Sequence, residues 1–290
     1  MPPLAGALLA VVFWGISFVA TKAVVSEISP FALILVRTVL GTAFLLVVLA
    51  VRRVPVLPPR SAWPTIALMG FVGVAFHQLL QAYALTLTSA VNTGWLIGLT
   101  PVWSALLAWL WLGERMSALK VAGLALGFVG AAVVVTGGKT SGGLLALPST
   151  RGDLLILLST LNWALYSVLG RKTLLSLGST RATAGAFLAG LVLLLPTAFI
   201  GDGLGVLGRL SPSGWAAVLF LGVCCSGLGY LFWYRALETM EASRVGALLY
   251  LEPIVTLVTG MAVLGEQVGA ATIAGGLLLL AGVALVQRAR

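Results

Sequence analysis

The sequence predicts an all-α integral membrane protein whose ten transmembrane helices form two inverted five-helix repeats. Three observations carry this. Of 290 residues, 60% are hydrophobic and 9% charged, whereas soluble domains carry roughly a quarter charged residues. A mean hydropathy of +1.11 leaves apolar surface with nowhere to go in water. Ten apolar segments near the ~20 residues that cross a bilayer take up most of the chain, leaving no room for a sizeable soluble domain. Finally, residues 63–136 slide onto 215–288 at a constant offset of 152 without a gap.

The first span covers 4–25. It lacks a basic n-region and a cleavage site, so it is read as a retained helix and not a signal peptide. Pro30 introduces a span over 31–51, and the Pro55–Pro59 run closes the loop before 63–86. Spans at 90–112 and 118–137 complete the first half. The Gly-Ser-Pro stretch 137–152 divides the chain into a first repeat (1–138), an extracytoplasmic linker (139–150) and a second repeat (151–290). The second repeat reads as spans at 153–171, 181–200, 214–237, 243–264 and 270–287, with Ser211-Pro212-Ser213 before its third. Cys224 and Cys225 are neighbours in an apolar segment and read as small packing residues, too constrained for an ordinary bridge.

Seventeen basic and eight acidic residues give a net charge of +9. The cations are scattered singly or in pairs, with no basic tract or aromatic-basic motif, which excludes a nucleic-acid partner. With both termini inside, twelve cations fall in inner loops. Lys22, Arg37, Lys139, Arg151 and Arg209 fall on the other side. The positive-inside rule therefore puts both termini in the cytoplasm.

The repeat aligns distinctive residues. Trp63 meets Trp215, Gly70 meets Gly222, Gly94 meets Gly246 and Pro101 meets Pro253. Leu112-Gly113-Glu114 meets Leu264-Gly265-Glu266, and Gly123 and Gly130 meet Gly275 and Gly282. Upstream, Trp14 falls on Trp163 and Lys22 on Arg171 at an offset of 149. Five spans per repeat is an odd number, so the second half enters the membrane upside down. Inverted repeats recur in secondary transporters, with the substrate near the midplane at the repeat interface.

These marks resemble the drug/metabolite transporter superfamily, in its EamA-domain branch. They are the ten spans, the paired Pro followed twelve residues later by Gly-Glu, Phe13-Trp14-Gly15, Lys22 and Arg37. The resemblance covers nearly the whole chain and implies a multi-pass carrier of the bacterial inner membrane. Within the branch the chain is most similar to aromatic amino-acid exporters.

Pro101 and Pro253 lie at the centres of spans 4 and 9, where each removes a backbone donor and predicts a bend or local unwinding. Paired interruptions at matching positions point to a transporter's site, so both are gating candidates. Glu252, beside Pro253, is a mid-bilayer carboxyl and a candidate for proton coupling or substrate-ammonium contact; a protonated group bonding a freed carbonyl is the structural alternative. Its repeat mate is Thr100. His77, Gln78 and Gln81 form a polar patch on span 3, suited to a wet cavity. Trp14 and Ser17 of span 1, Asn162, Trp163 and Tyr166 of span 6, Trp95 of span 4 and Tyr250 of span 9 offer aromatic walls and neutral polar groups. Some such aromatics instead belong to interfacial belts, the reading given to Trp63, Trp109, Trp111 and Trp215. Arg37 is shallow enough to snorkel to the nearer surface and is expected to hold the outer end together or to attract a carboxylate. The two Gly-Glu pairs read as turns, each Glu near the next helix's N-terminus. Gly123 and Gly127 read as a face packing helices within the monomer.

Other classes fit less well. One His excludes an HExxH zinc site, and Cys225-Ser226-Gly227 lacks the Gly expected before a nucleophilic Ser, so an intramembrane enzyme built on His77 and Ser226 is a remote alternative. No Asp-rich motif holds Mg²⁺, no P-loop is present, and no charge rings or filter-like loops suggest a channel. No metal, cofactor or obligate protein partner is expected; the partners are the lipid bilayer, a small molecule and, if transport is coupled, protons. The expected cavity suits a ligand neutral overall with an apolar part: amino acids, aromatic ones foremost. A multidrug or other-metabolite exporter is the alternative, since aromatic cavities also accept lipophilic cations.

Overall fold

A computed structural model describes residues 2–112, 117–137, 150–200, 203–240, 245 and 248–288. The Gly113-Glu114 turn, Gly246, Asp202 and linker residues 139–149 lie outside them. Among the described residues all regular structure is helical. The helices are α1 (Pro3–Val24), α2 (Pro30–Val51), α3 (Arg60–Leu87), α4 (Ala90–Ile97), α5 (Thr100–Leu112) and α6 (Ala118–Thr136). They continue as α7 (Thr150–Leu177), α8 (Ser179–Phe199), α9 (Pro212–Ala236), α10 (Leu248–Leu264) and α11 (Ala270–Arg288). They occupy the ten segments read from the sequence, with the fourth split into α4 and α5.

Local chemistry fixes the ends. Ser29, Ser89, Ser117 and Ser211 each sit at an N-cap and accept from the backbone N–H three residues on, at 2.9–3.3 Å, which satisfies one orphan donor of each first turn. Pro3, Pro30 and Pro212 follow their caps, where the missing N–H is harmless. Gly137 and Gly265 end α6 and α10 with φ of 57° and 63°, a left-handed turn that a side chain would strain.

Helices α1, α2, α3, α6, α8 and α9 are long and apolar enough to cross a membrane, and α10 and Ala270–Val286 of α11 are shorter apolar helices. Large apolar side chains face outward on several of them: Val47, Val192, Val258 and Leu277 are 58–61% exposed. In lipid that exposure is solvation by like. Trp109 and Trp215 are also exposed, as belt residues would be.

Packing follows small residues. Helices α6 and α11 make the most extensive contact. A Cβ on Gly123 would lie 2.6 Å from the Gly282 carbonyl oxygen, and one on Gly130 2.6 Å from that of Gly275, so these backbones touch. Of the glycine face read from the sequence, Gly123 thus packs on α11 and Gly127 faces Val102 and Leu99, both within one chain, as small residues do where lipid gives helices no hydrophobic drive to associate. Elsewhere α3 packs on α8 and α2 on α9; α1 packs on α10, and α7 on both α4 and α5; α1 packs on α9 and α3 on α7.

The helices are not uniform. Residues Gly70–Phe76 of α3 and Phe220–Gly229 of α9 are π-helical, and 70–76 plus 152 gives 222–228, inside the second stretch. The chain also breaks at Gly98-Leu99 before α5, and α10 opens with the 3-10 turn Leu248–Leu251. Pro101 and Pro253 are the second residues of the α-helical segments beginning at Thr100 and Glu252. The interruptions expected at both prolines occur, each just ahead of its ring.

Candidate functional site

A cavity of about 70 Å³ lies where α1, α2, α3, α4, α5, α7, α9 and α10 converge. Counting roughly 10–15 Å³ per ordered water, it holds about five to seven waters at most, too small a space for a metabolite without movement.

Of the residues singled out from the sequence, Trp14, Ser17, His77, Gln78, Gln81, Trp163 and Glu252 line it. The aromatic rings form one cluster. Trp14 meets Trp163, Tyr230 and Trp233 at centroid distances of 6.4, 5.7 and 5.2 Å. His77 tilts over Trp163 at 5.0 Å, and Trp163 is edge-on to Tyr230 at 6.1 Å. Trp14 is held from behind by its Nε1, which donates to the Cys225 carbonyl at 3.2 Å.

The polar groups are undersupplied. Among the described residues His77 Nδ1 and both amide atoms of Gln78 are buried without a hydrogen-bond partner, although His77 and Gln78 are only 6% and 3% exposed. A buried polar atom left unpaired costs about 1–3 kcal/mol, so three around one void mark a place for water or a ligand. Gln81 reaches only Ser159 Oγ, at 3.5 Å. Glu252 is buried, with no hydrogen bond or ion pair to its carboxyl group among the described residues.

Four of the expected residues stand elsewhere. Asn162 is buried, and its Nδ2 donates at 2.7 Å to the Val72 carbonyl, within the π-helical stretch of α3. Tyr166 packs its ring on Gly73 and its hydroxyl lies 3.5 Å from that of Tyr234, behind the cavity wall. Trp95 packs on Gly276 in the cluster with α11. Tyr250 packs beside that cluster, its hydroxyl buried without a partner. None of the four lines the void.

Arg37 corrects a second expectation. Instead of snorkelling, it is buried, donates from Nε to Ser226 Oγ at 2.9 Å, and lines the cavity. The π-helical stretch of α9 carries Ser226 to meet it, so that hydroxyl is engaged by a cation. Arg37 and Glu252 therefore place a guanidinium and a carboxyl group around one void, with no ion pair joining them among the described residues.

Phe18, Ile97, Thr100, Tyr230, Trp233 and Leu249 also line the cavity and were not singled out as cavity residues. The repeat holds the signal for most of them. At the offset of 152, Gln78 maps to Tyr230, Gln81 to Trp233, Ile97 to Leu249 and Thr100 to Glu252; at 149, Trp14 maps to Trp163. All ten of these residues line the cavity.

The end of the bundle farther from the N-terminus is closed by a polar clamp on the α3–α4 corner. Lys22 Nζ donates at 2.6 Å to the carbonyls of both Leu85 and Thr88. The Glu266 carboxylate accepts from Ala90 and Val91 N–H at 2.8 and 2.9 Å. Asp153 accepts from the Thr88 hydroxyl and, at 3.2 Å, from Asn92 Nδ2. Glu266 was expected to serve the helix that follows it. It caps α4 instead, because the Gly265 turn points it at that helix's free N–H groups, where the dipole favours an anion.

The sequence profile of the EamA-like transporter family matches residues 1–136 and 150–288. An uncharacterized transporter of Archaeoglobus fulgidus is 31% identical over 277 residues, covering 96% of this chain and 94% of its own. A protein of Streptantibioticus cattleyicolor named a probable terminal-alkyne amino-acid exporter is 30% identical over 284 residues, covering 97% and 91%. A solved crystal structure, 22% identical, superposes with a TM-score of 0.70 over 98% of this chain and 95% of its own. These family and relative names are those of transporters, not enzymes.

Proposed function

The chain belongs to the EamA-like transporter family, and from that premise we propose that it exports amino acids, aromatic or hydrophobic ones foremost, by alternating access. The observation that carries the reading is the cavity made of repeat-mated positions, since a shared site at the repeat interface is what two rocking halves need. The helix pairings support it. Shifting by one repeat turns the α3–α8 contact into α9–α2, and α1–α10 into the contacts of α7 with α4 and α5. On this reading the chain has ten membrane helices in two inverted halves, 1–138 and 151–290 about an extracytoplasmic linker, with both termini in the cytoplasm of a bacterial inner membrane.

The lining suits a zwitterion. Arg37 meets the carboxylate, Glu252 the ammonium group, and Trp14, Trp163 and Trp233 the apolar side chain. His77 and Gln78 supply the unfilled hydrogen bonds. Pro101 and Pro253, at the breaks, let α5 and α10 move as separate segments. Glu252 is the first candidate for proton coupling and His77 the second. The void of about 70 Å³ is a contracted state that opens before substrate enters.

Purified protein in liposomes, offered labelled amino acids and a cationic dye in parallel, tests this. The proposal expects amino-acid flux, reduced at least tenfold by Trp163→Ala. Dye flux without amino-acid flux would favour the multidrug reading, which the ring cluster also suits. An imposed pH gradient should accelerate flux, and Glu252→Gln should abolish that acceleration; coupling that survives in the variant removes Glu252 from the role.

A further inference from the structure

A groove of about 360 Å³ lies between α2, α8 and α9, apart from the central cavity. Its walls are apolar, with Phe44 and Val48 from α2 facing Leu228, Leu231 and Phe232 from α9. Its rim is cationic. Arg52, at the C-terminal cap of α2, and Arg235, in the last turn of α9, both line it and both are exposed. Ser179 and Thr180, the first residues of α8, complete the rim, and no acidic side chain lines the groove. Arg52 Nη1 reaches Thr180 Oγ1 at 3.5 Å, the limit of a hydrogen bond. No carboxylate pairs with either guanidinium among the described residues.

We propose that this groove binds one anionic phospholipid, its phosphate held between Arg52 and Arg235 and an acyl chain lying along Phe44 and Phe232. Charge complementarity selects the occupant. Two arginines at helix ends, neither paired with a carboxylate among the described residues, call for an anion, and planar guanidinium groups suit a phosphate. The apolar walls call for a chain attached to that anion. A soluble phosphate leaves the walls empty, and a neutral lipid leaves both cations unpaired. Val47 and Val51, on the same stretch of α2, are 61% and 78% exposed, so the groove opens sideways to hydrocarbon.

Protein reconstituted in nanodiscs of phosphatidylcholine and phosphatidylglycerol, then released for native mass spectrometry, reads the retained lipid. One phosphatidylglycerol per protein is expected, with Arg52→Gln and Arg235→Gln each lowering retention roughly fivefold. The Arg52→Lys, Arg235→Lys double variant keeps the charge without the planar fork and should retain more lipid than either Gln variant; retention no better than theirs would overturn the charge argument. Arg60→Gln, an exposed cation at the same end outside the groove, should leave it unchanged. Equal retention of phosphatidylcholine, an equal loss in Arg60→Gln, or displacement of the lipid by millimolar inorganic phosphate would each overturn the site.

Discussion

Arg37 shows what a single buried charge does to a membrane site. A guanidinium in hydrocarbon is expensive, and this one is held by a single hydroxyl, Ser226. Removing a charged hydrogen bond to a carboxylate loses about 1.5–3 kcal/mol, so Arg37→Gln should raise KM for an amino acid at least tenfold. An amino-acid amide, which lacks the carboxylate, should be affected much less; equal losses for both would show that Arg37 only shapes the wall. Residue types announced much of this cavity in the sequence, because Trp14, His77, Gln78, Gln81, Trp163 and Glu252 are costly or conspicuous in a membrane helix. Asn162, Tyr166, Trp95 and Tyr250 carry the same chemistry and line other contacts. Residue type tells that a group needs a partner; it does not tell whether the partner is a ligand, a carbonyl or a glycine face.

Helix ends were legible from Ser, Pro and Gly signals, and the helices fall where the apolar windows put them. The π-helical stretches of α3 and α9 were not, since a wider turn leaves no mark in an apolar, Gly-rich run. The stretch in α9 carries Ser226, which meets Arg37. At element scale the close α6–α11 crossing makes a sharp prediction. Gly130→Val should lower thermal stability in detergent by about 1–3 kcal/mol, through overpacking, whereas Gly205→Ala should change it by less than about 1 kcal/mol because nothing lies within 4 Å of its Cβ position. Equal effects would mean the crossing is not tight. The clamp on α3–α4 makes another. Lys22→Met strands two buried carbonyls and should favour opening of that end, speeding thiol labelling of Thr88→Cys at least fivefold; unchanged labelling would mean the clamp does not hold the end shut.

The whole molecule turns on symmetry, and the repeat offset carried more information than any single residue, since it pairs positions that the fold then brings to one void. Reporter fusions at residue 145 and at the C-terminus should fall on opposite sides of the membrane; same-side signals would remove the inverted arrangement. In the proposed mechanism the two ends open in turn about that void. Thr88, under the clamped end, and Met240, its mate at the offset of 152, report the two ends. Each is changed to Cys singly, with Cys224 and Cys225 replaced by Ala, and labelled in liposomes by an impermeant maleimide from its own side. As a labelled aromatic amino acid is added, reactivity should rise at one position and fall at the other, and the Lys22→Met change should move both in opposite senses. Reactivities that rise together, as in an open channel, or that do not respond while substrate is being carried, would contradict alternating access about this cavity.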